Sequence, residues 1–180
     1  MRTRGKTRGR ETVTDMVRSL GLVVGVVAVL ALLVAVALPE GEPVPEFDYA
    51  EAVEGARQQV PYELIAPDEL PDGWRATSAR VRPTPDGTVW SLGLLTGGGE
   101  FVGLEQSDAE PSRVERDQLA DYEPDGTTTV DGVEWERWVE LARNPDRALR
   151  RDLDGTTVVV VGTSSYEVIE GFVGRLELVG

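Results

Sequence analysis

The stretch Thr127–Gly162, TTTVDGVEWERWVELARNPDRALRRDLDGTTVVVVG, decides the fold class. It reads as two hairpins in succession. Asp131-Gly132 separates Thr127–Val130 from Val133–Leu141, and Asp154-Gly155 separates Arg147–Leu153 from Thr156–Gly162. Asp-Gly suits a two-residue hairpin turn because both positions must tolerate positive φ. The run TVVVV before Gly162 is apolar on both faces, which marks a strand covered on both sides.

The same grammar extends outward. Thr88–Thr96 and Glu100–Ser107 flank Gly97-Gly98-Gly99 as a third hairpin. Arg75–Arg82 alternates, with Ala79 and Val81 on one face, and Tyr62–Ala66 is a short strand. Pro67 to Gly73 is a loop, while Ser112–Tyr122 is polar and reads as one helical turn or an irregular connection. Five Asp-Gly pairs, three of them Pro-Asp-Gly, all read as turns. They lack the ligand spacing of an EF-hand, so no calcium site is assigned. At the start, Asp48 and Glu51 form a capping box for a helix over Tyr49–Gln59, with Ala52, Val53 and Ala56 as its stripe. At the end, Ser164 and Glu167 repeat the box, and Val168, Ile169, Phe172, Val173 and Leu176 make one apolar face. The expected class is α+β: a mainly antiparallel sheet of about six strands, with a helix at each end of the domain, preceded by one transmembrane helix.

That span is Ser19–Leu38, SLGLVVGVVAVLALLVAVAL, without a charge between Arg18 and Glu40. Twenty helical residues cover about 30 Å, the thickness of a hydrocarbon core. Residues 1–18 carry Arg2, Arg4, Lys6, Arg8, Arg10 and Arg18 against Glu11 and Asp15, a net +4. The whole chain sums to -14, so the remainder sums to -18. Positive charge before the span and negative charge after it place the N-terminus in the cytoplasm. The organisation is then a basic cytoplasmic arm (1–18), a transmembrane helix (19–38), a Pro/Glu stalk (39–47) and an extracytoplasmic domain (48–180) in the cell membrane. Ala35-Val36-Ala37 resembles a cleavage site, but the apolar run is longer than a signal core. Gly21 and Gly25 form a G-x-x-x-G pair, which lets two helix backbones approach and suggests a homodimer through the span.

Composition excludes whole classes of chemistry. The 180 residues contain no Cys and no His, and the only Lys is Lys6. Thiolate or His-ligated metal sites, Ser-His-Asp hydrolysis and lysine bases are therefore out of reach for the outer domain. No cofactor or catalytic residue is assigned, and the chain reads as a non-enzyme. The acidic outer domain repels phosphate, so nucleic acid is not an expected partner. The preference for Arg over Lys, with abundant Val, Ala, Gly and Asp, fits a GC-rich genome and points to an actinobacterium.

The stretches LIAPDELPDGWRATSARV, WSLGLLTGGGEFVGLEQSD, VDGVEWERW and RALRRDLDGTTVVVVGTSS carry a family resemblance. Together with the basic arm and span, they are similar to an actinobacterial single-pass membrane family catalogued as a domain of unknown function (DUF 4245). The resemblance implies the same topology over nearly the whole chain, and no activity or ligand.

The candidate surface lies in Val133–Leu141. Alternation puts Val133, Trp135, Val139 and Leu141 on one face, and Glu134, Glu136, Trp138 and Glu140 on the other. An aromatic plane among carboxylates suits a sugar or a protein partner. The competing reading is that the closing helix covers Trp138, or that a bulge turns it inward. The same glutamates could supply the acid pair of a glycosidase, or simply form a solvated strand face. Arg147, Arg150 and Arg151 form a basic island, of which some are expected to pair across strands with this acidic face; the alternative is a site for anionic lipid or glycan. The function expected is a membrane-anchored binding or scaffolding module of the bacterial cell envelope, facing an envelope protein or glycan. The alternative is a carboxylate-based hydrolase of envelope glycan.

Overall fold

The computed structural model describes residues 48–179. The expected cytoplasmic arm, the expected span with Gly21 and Gly25, and the expected stalk lie outside the described residues. Among the described residues no helix is long and apolar enough to cross a membrane.

Helix α1 (Tyr49–Arg57) opens the domain, followed by β1 (Leu64–Pro67), β2 (Arg75–Thr84), β3 (Gly87–Leu95) and β4 (Phe101–Ser107). Then come α2 (Pro111–Gln118), β5 (Tyr122–Val130), β6 (Val133–Glu140), β7 (Arg147–Leu153) and β8 (Thr156–Gly162), before α3 (Tyr166–Val173) and β9 (Leu176–Val179). The main sheet has seven strands in the order β2-β3-β4-β8-β7-β6-β5, all neighbours antiparallel. A second sheet pairs β1 with β9. The class is α+β as expected, but the strand count of about six is corrected to seven in the main sheet and two beside it.

The hairpins form where the turns demand. Asp131 and Asp154 sit at φ 49° and 44°, and the glycines after them at 80° and 81°. Positive φ at both central residues gives the mirror-image turn that matches strand twist. The turn reading fails at Pro124-Asp125-Gly126. That segment lies inside β5, where the register with β6 slips between Pro124 and Thr127. Gly126, at φ 87°, makes a bulge there, so β5 begins at Tyr122 and runs nine residues.

Two sides of the main sheet are covered differently. Its first face meets α1, α3 and the β1–β9 pair. Val53 and Ala56 of α1, Ile169, Phe172 and Val173 of α3, and Trp90, Leu92, Leu104, Trp135, Leu149 and Val160 of the sheet form the larger core. Trp74 stacks on Phe172 with centroids 5.5 Å apart. Helix α1 is capped as its sequence requires, with Asp48 Oδ1 accepting from the Glu51 amide at 3.0 Å. Among the described residues the second face meets only α2. Val114 and Leu119 pack with Ala109 on Trp138, Ala148 and Val159. The polar segment after Ser112 is thus a two-turn helix, begun by Pro111 in its first turn and held by a single apolar residue, Val114.

At the C-terminus the apolar face expected through Leu176 is cut short. Helix α3 is capped at Gly174, and Leu176–Val179 turns into β9. Its N-cap is Ser165, without a side-chain bond, and Ser164 is buried instead. Strand β9 covers one edge of β1. The other edge of β1 faces the main sheet, and side chains satisfy it. Gln106 Oε1 accepts from the Ile65 amide (2.8 Å), Gln106 Nε2 donates to Glu63 O (2.9 Å), and Trp90 Nε1 donates to Ile65 O (3.2 Å). Buried backbone groups need partners, and here two side chains take the place of a strand.

Candidate functional site

Trp138 stands on the face that alternation assigns to it, with Glu136, opposite Trp135. Its ring is nonetheless buried, at 9% exposure. The ring is therefore covered, as the competing reading had it and against the exposed-aromatic one, but by neither of the two expected means. The closing helix packs on the other face, and no bulge turns the residue; α2 covers it. Trp138 Nε1 donates to Glu136 Oε2 at 3.3 Å. Glu134 is exposed at the β5–β6 end, and Glu140 sits at the other end of β6, where its carboxylate accepts from the Asp146 amide at 3.2 Å. Burial, then the charge of Glu140, raises the Asp146 carboxyl above its ordinary range.

Cross-strand pairing of the basic island holds for one of its three members. Arg150 donates to Glu136 Oε2 (3.0 Å) and to Asp152 Oδ1 (3.0 Å), with its own side chain only 8% exposed. Arg151 lies over Trp135 (5.4 Å) and Arg147 over Tyr166 (5.7 Å), both as cation–π contacts. Arg137, paired with Glu170, covers the same Tyr166 ring at 4.8 Å.

The open part of the second face is elsewhere. Helix α2 covers β6, β7 and β8 but stops short of β2, β3 and β4. Beside it runs a trough of two joined cavities of about 480 and 530 Å³. Arg82, Glu105 and Gln118 line both. Register explains its shape. Ser78, Gly93 and Gly103 are directly opposite one another on β2, β3 and β4, so the floor there has almost no side chain. The next row is Arg80, Ser91 and Glu105, and Ser91 Oγ donates to Glu105 Oε1 at 2.9 Å. Phe101 lies across the glycine row. A Cβ on Gly103 would come within 3.1 Å of its ring, and one on Gly93 within 3.4 Å. The ring is 43% exposed, one of three large apolar residues so placed among the described residues.

The far wall is Tyr122 and Gln118. Burial, then the charges of Asp146, Glu140 and Asp121, pushes the Tyr122 phenol up to about 12, so it remains a hydrogen-bond donor at any physiological pH. The α2 end carries Arg113, held by Asp86 (3.3 Å) and Asp117 (2.9 Å). Volumes of this size suit a small ligand. The lining offers hydroxyls, an amide, carboxylate and guanidinium around one aromatic plane. Glu134, Glu136 and Glu140 do not line the trough. Among the described residues no three acids gather closely enough to hold a metal ion.

The trough escaped sequence reasoning because its floor is shared among strands far apart in the chain, β2, β3, β4 and β8, and its wall comes from α2 and β5. A signal was present. Closing the hairpin over Gly97–Gly99 pairs Gly93 with Gly103, and paired glycines on an outward face leave a hollow.

The described part is thus an antiparallel α+β domain with one face half open. The chain belongs to the protein family of unknown function DUF4245, whose profile matches residues 8–176. No curated protein matches the chain.

Proposed function

We propose that this protein is a membrane-anchored binding module of the bacterial cell envelope, with its domain outside the cytoplasm and its trough turned to an envelope ligand. The observation that carries the reading is the trough itself: an uncovered sheet face with an exposed Phe101 among hydrogen-bonding side chains. A solvent-facing aromatic beside polar groups suits recognition better than core packing. The anchoring part rests on Ser19–Leu38 and on the charge asymmetry across it. The missing Cys, His and lysine bases favour binding over catalysis. An actinobacterial source is part of the same proposal and rests on composition.

The test uses the full-length chain in lipid nanodiscs, exposed to solubilised envelope glycans and proteins. Retention of an envelope component, lost on Phe101→Ala, is the expected result. Failure to retain any component, or accessibility of the C-terminal domain from the cytoplasmic side in cells, overturns the reading.

A further inference from the structure

Resting on that reading, we infer that the β2–β4 end of the trough takes an anionic glycan, a chain of carboxylate-bearing sugars. Arg80 and Arg82 grip the carboxylate, and Phe101 carries the sugar ring.

Charge is the first argument. Residues 48–180 hold the chain's -18 remainder less the three stalk glutamates Glu40, Glu42 and Glu46, a net of -15. Four arginines of this domain, Arg57, Arg113, Arg137 and Arg150, are held by carboxylates. Among the described residues Arg80 and Arg82 pair with none. The nearest candidate in the register row, Glu105, is engaged by Ser91 instead. Both arginines are exposed and stand two residues apart on β2, so they point to the same face. Together with Glu105 they are the charged lining of this cavity, which is therefore net positive inside an acidic domain. Such a patch selects and steers an anion.

Spacing is the second argument. Phe101 overlies Gly93, and Arg80 lies one strand across and one row along from it. Strand spacing near 4.8 Å and two residues of rise give about 8 Å between those backbone positions. A guanidinium reaching back over that gap and a ring over the glycines can meet one sugar that bears its acid on the ring. The Ser78–Gly93–Gly103 floor leaves room for the sugar's thickness, and Ser91, Gln118 and Tyr122 supply hydroxyl and amide partners. An acidic peptide would satisfy the arginines but would leave the flat aromatic unused.

The test titrates the full-length chain in nanodiscs of uncharged lipid with oligogalacturonate, with neutral malto-oligosaccharide of equal length and with polyglutamate. Oligogalacturonate is expected to bind at least roughly tenfold more tightly than either control. Arg80→Ala/Arg82→Ala should lose at least roughly tenfold, and so should Phe101→Ala, while Arg116→Ala/Arg143→Ala, which removes the same charge elsewhere, should not. Arg80 and Arg82 are both exposed, so the fold survives their removal, and an unchanged circular dichroism spectrum verifies it. Polyglutamate binding as tightly as oligogalacturonate overturns the inference. Equal binding of the neutral sugar overturns the anionic part while leaving a glycan-binding module. No binding of any probe overturns the inference, and the envelope-retention experiment then decides the broader reading separately.

Discussion

Replacing Gln106 with methionine keeps the side chain's length and removes its amide. Gln106 is 1% exposed, so water cannot take over its bonds. Three bonds disappear: one from the Ile65 amide, one to Glu63 O and one to Thr156 Oγ1. They are not equivalent. Ile65 is buried, and its N–H is left without an acceptor, which costs about 2 kcal/mol. Glu63 is exposed and turns its carbonyl to water, while Thr156 still donates to Leu153 O at 2.7 Å. Those two losses add roughly 0.5 kcal/mol each, and the apolar methionine returns a little through easier desolvation. The expected net loss is about 2–3 kcal/mol, a fall in Tm of roughly 10 °C for a domain of this size. Urea unfolding followed by tryptophan fluorescence measures it, and the Ile65 amide should exchange with solvent far faster in the variant. A loss below about 1 kcal/mol, with Ile65 still protected, would refute the claim that this side chain stands in for a strand.

Trp138→Ala should cost about 3–5 kcal/mol, because α2 holds the ring in a core of few residues; a loss under about 1 kcal/mol by urea unfolding would return Trp138 to the surface. Two glycines offer a contrast, since a methyl group at either meets nothing within 4 Å. Gly155→Ala, at φ 81°, should destabilise by about 1 kcal/mol, whereas Gly171→Ala, inside α3, should stabilise by up to about 1 kcal/mol, both read as shifts in urea midpoint. All four tyrosines have phenols pushed up, each chiefly by burial. Folded values above the unfolded one mean that stability is whole below pH 10 and falls as pH rises beyond it, because the unfolded chain releases those protons first. Phenolate absorbance should therefore appear together with unfolding; phenolate forming near pH 10 in a folded domain contradicts the burial argument.

How much of this was legible in the sequence follows from which interactions are local. The Asp131-Gly132 and Asp154-Gly155 hairpins carry their own turn chemistry and were readable to the residue. Pro124-Asp125-Gly126 uses the same letters for a bulge, because β6 continues to pair on both sides of it. That pairing lies outside the segment and cannot be read within it. Leu176 fits a helical stripe as well as a strand, and the decision falls to β1, more than a hundred residues upstream. Alternation placed Trp138 on its correct face, but what lies over that face depends on α2, whose polar sequence contributes one buried residue. The trough needed the register of three strands before Arg80, Gly93 and Gly103 became neighbours.

The clasp between β1 and β9 also bears on how the domain comes into being. Leu64 meets Val179, so this small sheet joins nearly the first and the last residues described. Loops that long close slowly, and every hairpin of the main sheet can zip before it. A chain is made from its N-terminus onward. Until Leu176–Val179 has emerged and paired, β1 has one bare edge. A chain that lacks β9 is therefore stickier than one that has it, and a chaperone that guards Leu64–Pro67 would be needed only until that strand docks.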